Sequence, residues 1–143
     1  MIDDVAAIRE VRRFADALRE IRGRLFQDLA PIADVATLLS AVRSARELPR
    51  EGVTRGGIQY AVHGVGCRMI ADDGREVDVD LVVDPATGDQ VEAFDAWRVR
   101  WFLGEADDGG LQNTDVIAAC RYLAEAGALR EVVSGQWFAL VQD

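Results

Sequence analysis

Two segments of alternating apolar and polar residues flank the tripeptide Asp72-Asp73-Gly74 near the middle of the chain. The first, IQYAVHGVGCRMI, is rich in β-branched and aromatic residues, and the second, REVDVDLVVD, alternates strictly. A period of two residues is typical of a strand with one buried face, and an Asp-Gly step is a common hairpin turn. The sequence therefore predicts a central β-hairpin from Ile58 to Val83. With helical segments on both sides, it predicts an α+β fold with an antiparallel sheet.

The register of this hairpin depends on the length of its turn, because a shift of one residue moves every side chain to the opposite face. With a two-residue turn at Asp73-Gly74, His63 would lie opposite Asp84. Cys67 would then lie opposite Asp80. That register would collect a mixed His/Cys/Asp cluster, a set of side chains that can bind a metal or activate a nucleophile.

A three-residue loop formed by Asp72-Asp73-Gly74 gives the other register, in which the glycine takes the left-handed position of a bulge. Arg68 then lies opposite Asp78, and Gly66 lies opposite Asp80. This register leaves one coherent apolar face and one face of paired charges. We therefore favour the three-residue loop.

Two amphipathic helices are predicted before the hairpin. Apolar residues recur at every third or fourth position from Val5 to Leu25, with Asp3 or Asp4 as the N-cap. A second apolar stripe, from Ile32 to Val42, follows after a short connection. Because the connection is short, we expect the two helices to pack as an antiparallel helical hairpin.

A third helix is predicted after the hairpin. Asp89 and Glu92 have the spacing of a capping box, and Gly104 is a C-terminal stop, so the helix should run from about Asp89 to Leu103. Its apolar stripe, which we expect to be buried, consists of Val91, Phe94, Trp97 and Trp101.

The C-terminal part of the chain predicts a helix followed by a second hairpin. A loop at 107–110 precedes a helix that is capped by Thr114 and ended by Gly127. Leu129–Val133 and Trp137–Val141 then alternate around Ser134-Gly135, which indicates two short strands.

Composition and charge limit the class of protein. A chain of 143 residues, half of them apolar, is sized for one domain, 1–143. The net charge is −9, and residues 51–113 carry most of it, with 13 acidic residues against 5 arginines. A surface of this sign repels nucleic-acid phosphate and anionic membranes and attracts a basic partner. We therefore expect no nucleic-acid or membrane binding.

Location and redox state follow from the same composition. The N-terminus lacks an apolar leader region, and the longest apolar runs are too short to span a membrane. We therefore expect a cytoplasmic protein. Its two cysteines, Cys67 and Cys120, are expected to be reduced and buried.

The only histidine, His63, lies four residues before Cys67. Within one continuous strand these residues would be about 13 Å apart, which is too far for proton transfer. We therefore assign no catalytic residue and expect no cofactor.

Asp78 and Asp80 lie two residues apart on one face of the predicted strand. Such a pair could bind Mg²⁺ or Ca²⁺, or act as acid and base. Further ligands would have to come from elsewhere, with candidates at Asp84, Asp95 and Glu76. The alternative, which we favour, is a solvated strand face whose carboxylates pair with Arg68.

Gly64 and Gly66 alternate on one face of the predicted strand, so they leave a shallow trough without side chains. The trough could be filled by an external group. We favour an aromatic ring from the helix that carries Trp97 and Trp101.

Three short motifs resemble the pattern of an uncharacterised bacterial domain family over about residues 56–105. They are His63-Gly64-x-Gly66-Cys67-Arg68, Asp78-x-Asp80 and Phe94-Asp95-x-Trp97-Arg98. This resemblance implies no particular activity. In general character the chain is also similar to small acidic immunity proteins that neutralise secreted bacterial toxins, a similarity of composition that assigns no functional residue.

These observations lead us to expect a non-enzymatic protein that holds a basic protein partner on the acidic face of the hairpin, for example as an immunity protein for a basic toxin. The residues assigned to binding are His63, Gly64, Gly66, Arg68, Asp78, Asp80, Asp84 and Asp95. The alternative is a metal-assisted hydrolase or small-molecule-binding enzyme that uses Asp78, Asp80 and His63. A third option is a homodimer that forms through Trp137 and Phe138.

Overall fold

The computed structural model describes residues 4–104 and 110–141. Within these residues the chain forms four helices: α1 (Asp4–Asp28), α2 (Val35–Ser44), α3 (Ala96–Leu103) and α4 (Asn113–Glu125). The strands of the same residues are β1 (Glu51–Val53), β2 (Gln59–His63), β3 (Gly66–Ile70), β4 (Glu76–Val83), β5 (Gln90–Ala93), β6 (Leu129–Val133) and β7 (Trp137–Leu140). The predicted α+β class is confirmed.

The first five strands form one antiparallel sheet in chain order, and β6 and β7 form a separate two-stranded sheet. Between β3 and β4, Arg68 lies opposite Asp78 and Gly66 lies opposite Asp80. The connection is a three-residue loop that ends at Gly74, whose φ of +87° is left-handed. The favoured register of the hairpin is therefore confirmed.

The first strand of the predicted hairpin is in fact two strands. His63 of β2 lies opposite Gly66 of β3, so the chain reverses across Gly64 and Val65. Gly64 is the first of the two central residues and has φ of +47°, the pattern of a type II′ turn. The prediction of one continuous strand was wrong because this tight turn lies inside an otherwise regular alternation.

The prediction of a helix from Asp89 to Leu103 was also wrong in its first half. Residues Gln90–Ala93 form the edge strand β5, and α3 begins only after Asp95, whose side chain accepts a hydrogen bond from the Arg98 amide at 3.0 Å. Glu92 does not cap α3: its carboxylate binds Arg22 of α1 and accepts a hydrogen bond at 3.0 Å from the amide of Val35, the first residue of α2. The C-terminal stop at Gly104 is confirmed.

The five-stranded sheet has an inner face that packs against the helices and an outer face on its other side. The inner-facing side chains of the central strands are buried: Tyr60, Val62, Cys67, Met69, Val77, Val79 and Leu81. They join the apolar sides of α1 and α2 in one core. α1 packs chiefly on α4, while α2 packs on the sheet, so the two N-terminal helices do not form the closely packed pair that we expected.

The remaining predicted helix boundaries are those of α1 and α4. Asp3 lies outside the described residues, and Asp4 is the first residue of α1. The 107–110 loop also lies outside them, except for Gly110. α4 begins two residues earlier than predicted, with Gln112 in place of Thr114 as its N-cap, and Gly127 follows it with a left-handed φ of +84°.

The C-terminal hairpin is confirmed and joins the main sheet through one bridge between Phe94 and Phe138. Phe138 is fully buried, so it cannot contribute to the homodimer surface that we had considered with Trp137. No helix within the described ranges is long and apolar enough to cross a membrane.

Candidate functional site

Five charged or titratable side chains meet where α3 runs beside β4. β5 pairs only with β4 residues Asp80–Val83, so the first half of β4 has α3 next to it instead of a strand. We call this group the Arg98 cluster: His63, Asp78, Asp80, Asp95 and Arg98.

Arg98 lies at the centre of the cluster and is 14% exposed. Its Nη2 contacts Asp80 Oδ2 at 2.7 Å, its Nη1 contacts Asp95 Oδ2 at 3.1 Å, and its Nε lies 3.5 Å from Asp78 Oδ2. The Trp137 ring covers the guanidinium, with its centroid 5.1 Å from Cζ. Three carboxylates thus surround one guanidinium, which leaves the cluster with a net charge of −2 when His63 is neutral.

His63 holds the other side of Asp78, since its Nε2 lies 2.8 Å from Asp78 Oδ1. Burial raises the pKa of the Asp78 carboxyl, and the contacts with His63 and Arg98 offset part of that rise. Asp80 Oδ1 is buried without a hydrogen-bond partner. A methyl group at Gly66 would overlap this oxygen, so the glycine provides the space that the carboxylate occupies.

Replacement of Asp78 by asparagine is expected to change how stability depends on pH. Because the pKa of this carboxyl is raised in the folded protein, the folded chain holds the proton more tightly than the unfolded chain does. The contribution of Asp78 to stability therefore falls as pH rises through the folded pKa. The wild type should gain free energy of unfolding relative to D78N as the pH is lowered from about 7 toward about 4.

Urea denaturation of the two proteins over a series of pH values measures this effect. A difference between them that stays constant, or that shifts in favour of D78N on acidification, would contradict the expectation.

Two further predicted binding residues lie outside the cluster. Arg68 does not neutralise Asp78, although the two are opposite in register, and it lies instead 3.8 Å from Glu76. Glu76 also accepts a hydrogen bond from the Trp101 indole at 2.8 Å. Gly64 supplies the turn that brings His63 to the end of β2. The charge pair expected between Arg68 and the two aspartates was therefore wrong, and Arg98 takes that role.

Asp84, which the sequence grouped with the binding residues, is buried away from the outer face. It is 2% exposed, and its carboxylate accepts hydrogen bonds from Arg130 at 2.7 Å and from the Ala86 amide at 2.9 Å. The Arg130 contact, followed by that of Ala86, lowers the pKa of Asp84. Asp84 therefore ties the end of β4 to β6 and does not face solvent.

Cys67 is fully buried on the inner face and His63 projects from the outer face, so they form no catalytic pair. Cys120 is equally buried in α4. Burial raises the pKa of both thiols to about 12. Thiols of this kind are inert at neutral pH, so the expectation of reduced core cysteines fits their environment.

The outer face beyond the cluster is open to solvent. A hollow of about 460 Å³, which we call the outer hollow, lies across β1 to β4. Its lining includes the apolar residues Val53, Ala61 and Ile70, the acidic residues Glu51 and Glu76, and the basic residue Arg68.

Trp97 and Trp101 stand beside this face, each 47% exposed, with ring centroids 5.8 Å apart. The prediction that they would be buried was wrong, and neither fills a trough at Gly64 and Gly66. Their exposure could not be read from the sequence, because it depends on α3 lying beside β4 and packing its other side against α1.

Three ligand atoms of the cluster are close enough to share a cation. His63, Asp78 and Asp80 offer one atom each, and these atoms lie within 4.8 Å of one another. A nitrogen and two carboxylate oxygens suit Zn²⁺ or Mn²⁺. The nearby guanidinium of Arg98 repels a cation, but the three carboxylates of the cluster carry more negative charge than this one positive charge cancels.

Comparison with known proteins places the chain in a family. The family model described as a domain of unknown function (DUF6896) matches residues 7–139. A search of the curated proteins found no match, and a search of the solved structures found none. Because the family match covers nearly all of the sequence, rather than the 56–105 segment that the motifs indicate, this chain belongs to the DUF6896 family.

Proposed function

We propose that this domain is a non-enzymatic binding protein that holds a basic protein partner on the outer face of its sheet. The observation that carries the proposal is the open outer hollow, which is lined by apolar side chains and two carboxylates and has two half-exposed tryptophans beside it.

Charge supports this proposal. On the outer face Glu51 and Glu76 are accompanied by the Arg98 cluster, whose net charge is −2, while the half-exposed Arg68 also lines the hollow. The contacts of Arg98 hold the cluster carboxylates in place before a partner arrives. A fixed negative surface accelerates association with a positive partner and makes the rate sensitive to salt.

The tryptophans supply the apolar part of the surface. Large aromatic side chains are enriched at the centres of protein interfaces, where they bury much area at a small cost in side-chain entropy. A tryptophan face also attracts arginine and lysine side chains through its π electrons. Trp97 and Trp101 therefore suit the same basic partner as the neighbouring carboxylates.

The most specific form of the proposal is an immunity protein for a basic toxin such as a nuclease. Its support is the concentration of negative charge in residues 51–113, which include the outer-face strands and α3. Such a protein would block its toxin by covering the basic surface that binds nucleic acid.

Affinity capture from the lysate of the source organism tests the proposal. The immobilised wild-type chain is expected to retain a basic protein at low salt and to release it at high salt. The double variant W97A/W101A should lose that protein, and E51R should weaken its capture, because both changes alter the outer face and leave the core intact.

Two matched variants on α4 serve as controls. Y122A removes an exposed aromatic side chain, and E125R reverses an exposed charge, both away from the outer face. Each should retain the partner as the wild type does. Capture of the same proteins by the wild type and by W97A/W101A, or of no basic protein at all, would contradict the proposal.

A second candidate function rests on the three ligand atoms of His63, Asp78 and Asp80. In this alternative the cluster binds a divalent cation and supports a metal-assisted hydrolase or a small-molecule-binding enzyme. The cation would lie on the carboxylate side that faces away from Arg98, and the net charge of −2 would compensate it.

Titration calorimetry with Zn²⁺, Mn²⁺ and Mg²⁺ tests this candidate. The wild type should bind one ion, and D78N/D80N should not. The control D72N/D73N removes the same charge from the exposed loop between β3 and β4 and should bind as the wild type does. Equal binding by the two double variants, or none by the wild type, would exclude it.

A further inference from the structure

The edges of β5 and β7 meet at one point and then separate. Phe94 and Phe138 exchange backbone hydrogen bonds of 2.8 and 2.9 Å, and the bridge between them is isolated. β5 is the outermost strand of the main sheet, and β7 belongs to the other sheet. Two strand edges therefore diverge on one side of this bridge.

A cleft of about 760 Å³ opens where they diverge, on the helix side of the sheet. Its residues come from α1, from the start of α2, and from the strands on both sides. They include Leu18, Arg19, Leu81, Gln90, Glu92 and Arg130. The volume lies within the usual range for ligand sites, and Leu18 and Leu81 provide an apolar wall.

The backbone of β5 turns hydrogen-bonding groups toward this cleft. The backbone amide of Asp84 donates to the Asp89 carbonyl at 2.8 Å, so the backbone groups of Asp89 face β4. Those of Phe94 face β7. Because backbone groups alternate in direction along a strand, those of Gln90 and Glu92 point away from β4, as those of Phe94 do. An edge of this kind is a template for an added strand.

Two arginines at the cleft keep hydrogen-bond donors for an acidic occupant. The acidic side chains that line the cleft are already engaged. Glu92 binds Arg22 through two contacts of 2.6 and 2.8 Å, and Asp34 accepts the N-cap hydrogen bond of α2. Arg19 is half-exposed and lies 3.5 Å from the exposed Asp16.

Arg130 is also about half-exposed. Only its Nη1 is used by Asp84, so its guanidinium keeps further N–H donors. Arg19 and Arg130 thus each pair with one carboxylate and keep further N–H donors that can bind an acidic side chain of an occupant.

We propose that this cleft binds an extended, acidic peptide segment of a partner protein by strand addition to β5. The main chain of the peptide pairs with the outward groups of Gln90 and Glu92. Alternate side chains pack against Leu18 and Leu81, and an acidic side chain binds Arg19 or Arg130. This site is separate from the outer face and takes a partner of the opposite charge.

Selection from a phage-displayed library of random short peptides on the immobilised full-length chain tests the proposal. Enriched peptides should alternate apolar and acidic residues. Their affinity, measured by fluorescence anisotropy, should fall at least about tenfold in Q90P, which removes one outward N–H on an edge where proline is tolerated. Q90A, which keeps that N–H, should bind as the wild type does.

Charge and backbone pairing are tested separately. R19E should weaken binding at least about tenfold. R12E reverses an exposed charge elsewhere on α1 and should have no effect. A peptide N-methylated at the pairing positions should also lose binding, which keeps the test valid if Q90P folds poorly. No enrichment, or binding that is insensitive to both N-methylation and R19E, would overturn the proposal.

Discussion

Replacement of Arg98 by methionine is expected to lower the free energy of unfolding by about 3 kcal/mol. Methionine keeps most of the apolar volume but leaves the carboxylates of Asp78, Asp80 and Asp95 beside one another without their shared cation. These side chains are largely shielded from water, which makes unpaired charge costly. The deficit should shrink as the pH falls from about 7 to about 4, because protonation of Asp78, whose pKa is raised by burial, removes one of the repelling charges.

R68M is the control for this change. Arg68 is about half-exposed, and its contact with Glu76 is 3.8 Å long, so its loss should change stability by no more than about 0.5 kcal/mol. Urea denaturation at neutral pH measures both variants. Equal effects of R98M and R68M would show that Arg98 does not hold α3 against β4.

Replacement of Gly66 by alanine should destabilise the protein by a similar amount, about 2–3 kcal/mol. The added methyl group would overlap Asp80 Oδ1 and the carbonyl oxygen of Val79, and it would lie 2.9 Å from His63 Cε1. The Val79 oxygen belongs to the backbone of a central strand, so it cannot move aside easily. The Arg98 cluster should be displaced together with the β3–β4 pairing.

The matched control is G23A, in the middle of α1. A methyl group there meets nothing within 4 Å, and alanine is the better helix former, so the variant should gain about 0.5–1 kcal/mol. Urea denaturation should show a lower free energy of unfolding for G66A and a higher one for G23A than for the wild type. A G66A variant as stable as the wild type would show that the space beside Gly66 does not have to stay free of a side chain.

The parts of the fold that depend on local chemistry could be predicted from the sequence. The loop that ends at Gly74 fixes the register of β3 and β4, because its three-residue length and left-handed glycine are local properties. Gly127 and the last hairpin follow from equally local signals. The choice of register also left Cys67 in the core, as the structure has it, although His63 still meets Asp78 and Asp80 on the outer face.

The parts that depend on distant contacts could not be predicted. Glu92 has the spacing of a capping residue, but its carboxylate binds Arg22, which lies seventy residues earlier in the chain. The sequence predicted that Gly66 forms part of a trough filled by an aromatic ring or an external group. In the structure Gly66 instead leaves room for the carboxylate of Asp80.

The same distinction applies to the site. Asp95 and Arg98 have the local spacing of a helix cap and its N3 residue, which could have placed the start of α3 correctly. That Arg98 also binds Asp78 and Asp80 depends on where α3 packs, which no spacing in the sequence specifies.

The measurement that tests the central proposal most directly is hydroxyl-radical footprinting of the chain with and without its captured basic partner, because it reports side-chain exposure. Trp97 and Trp101 should lose reactivity in the complex, while Tyr122, an equally exposed ring on α4, should keep it. Protection of Tyr122 with unchanged tryptophans, or no protection on the outer face, would contradict the assignment of this face as the binding surface.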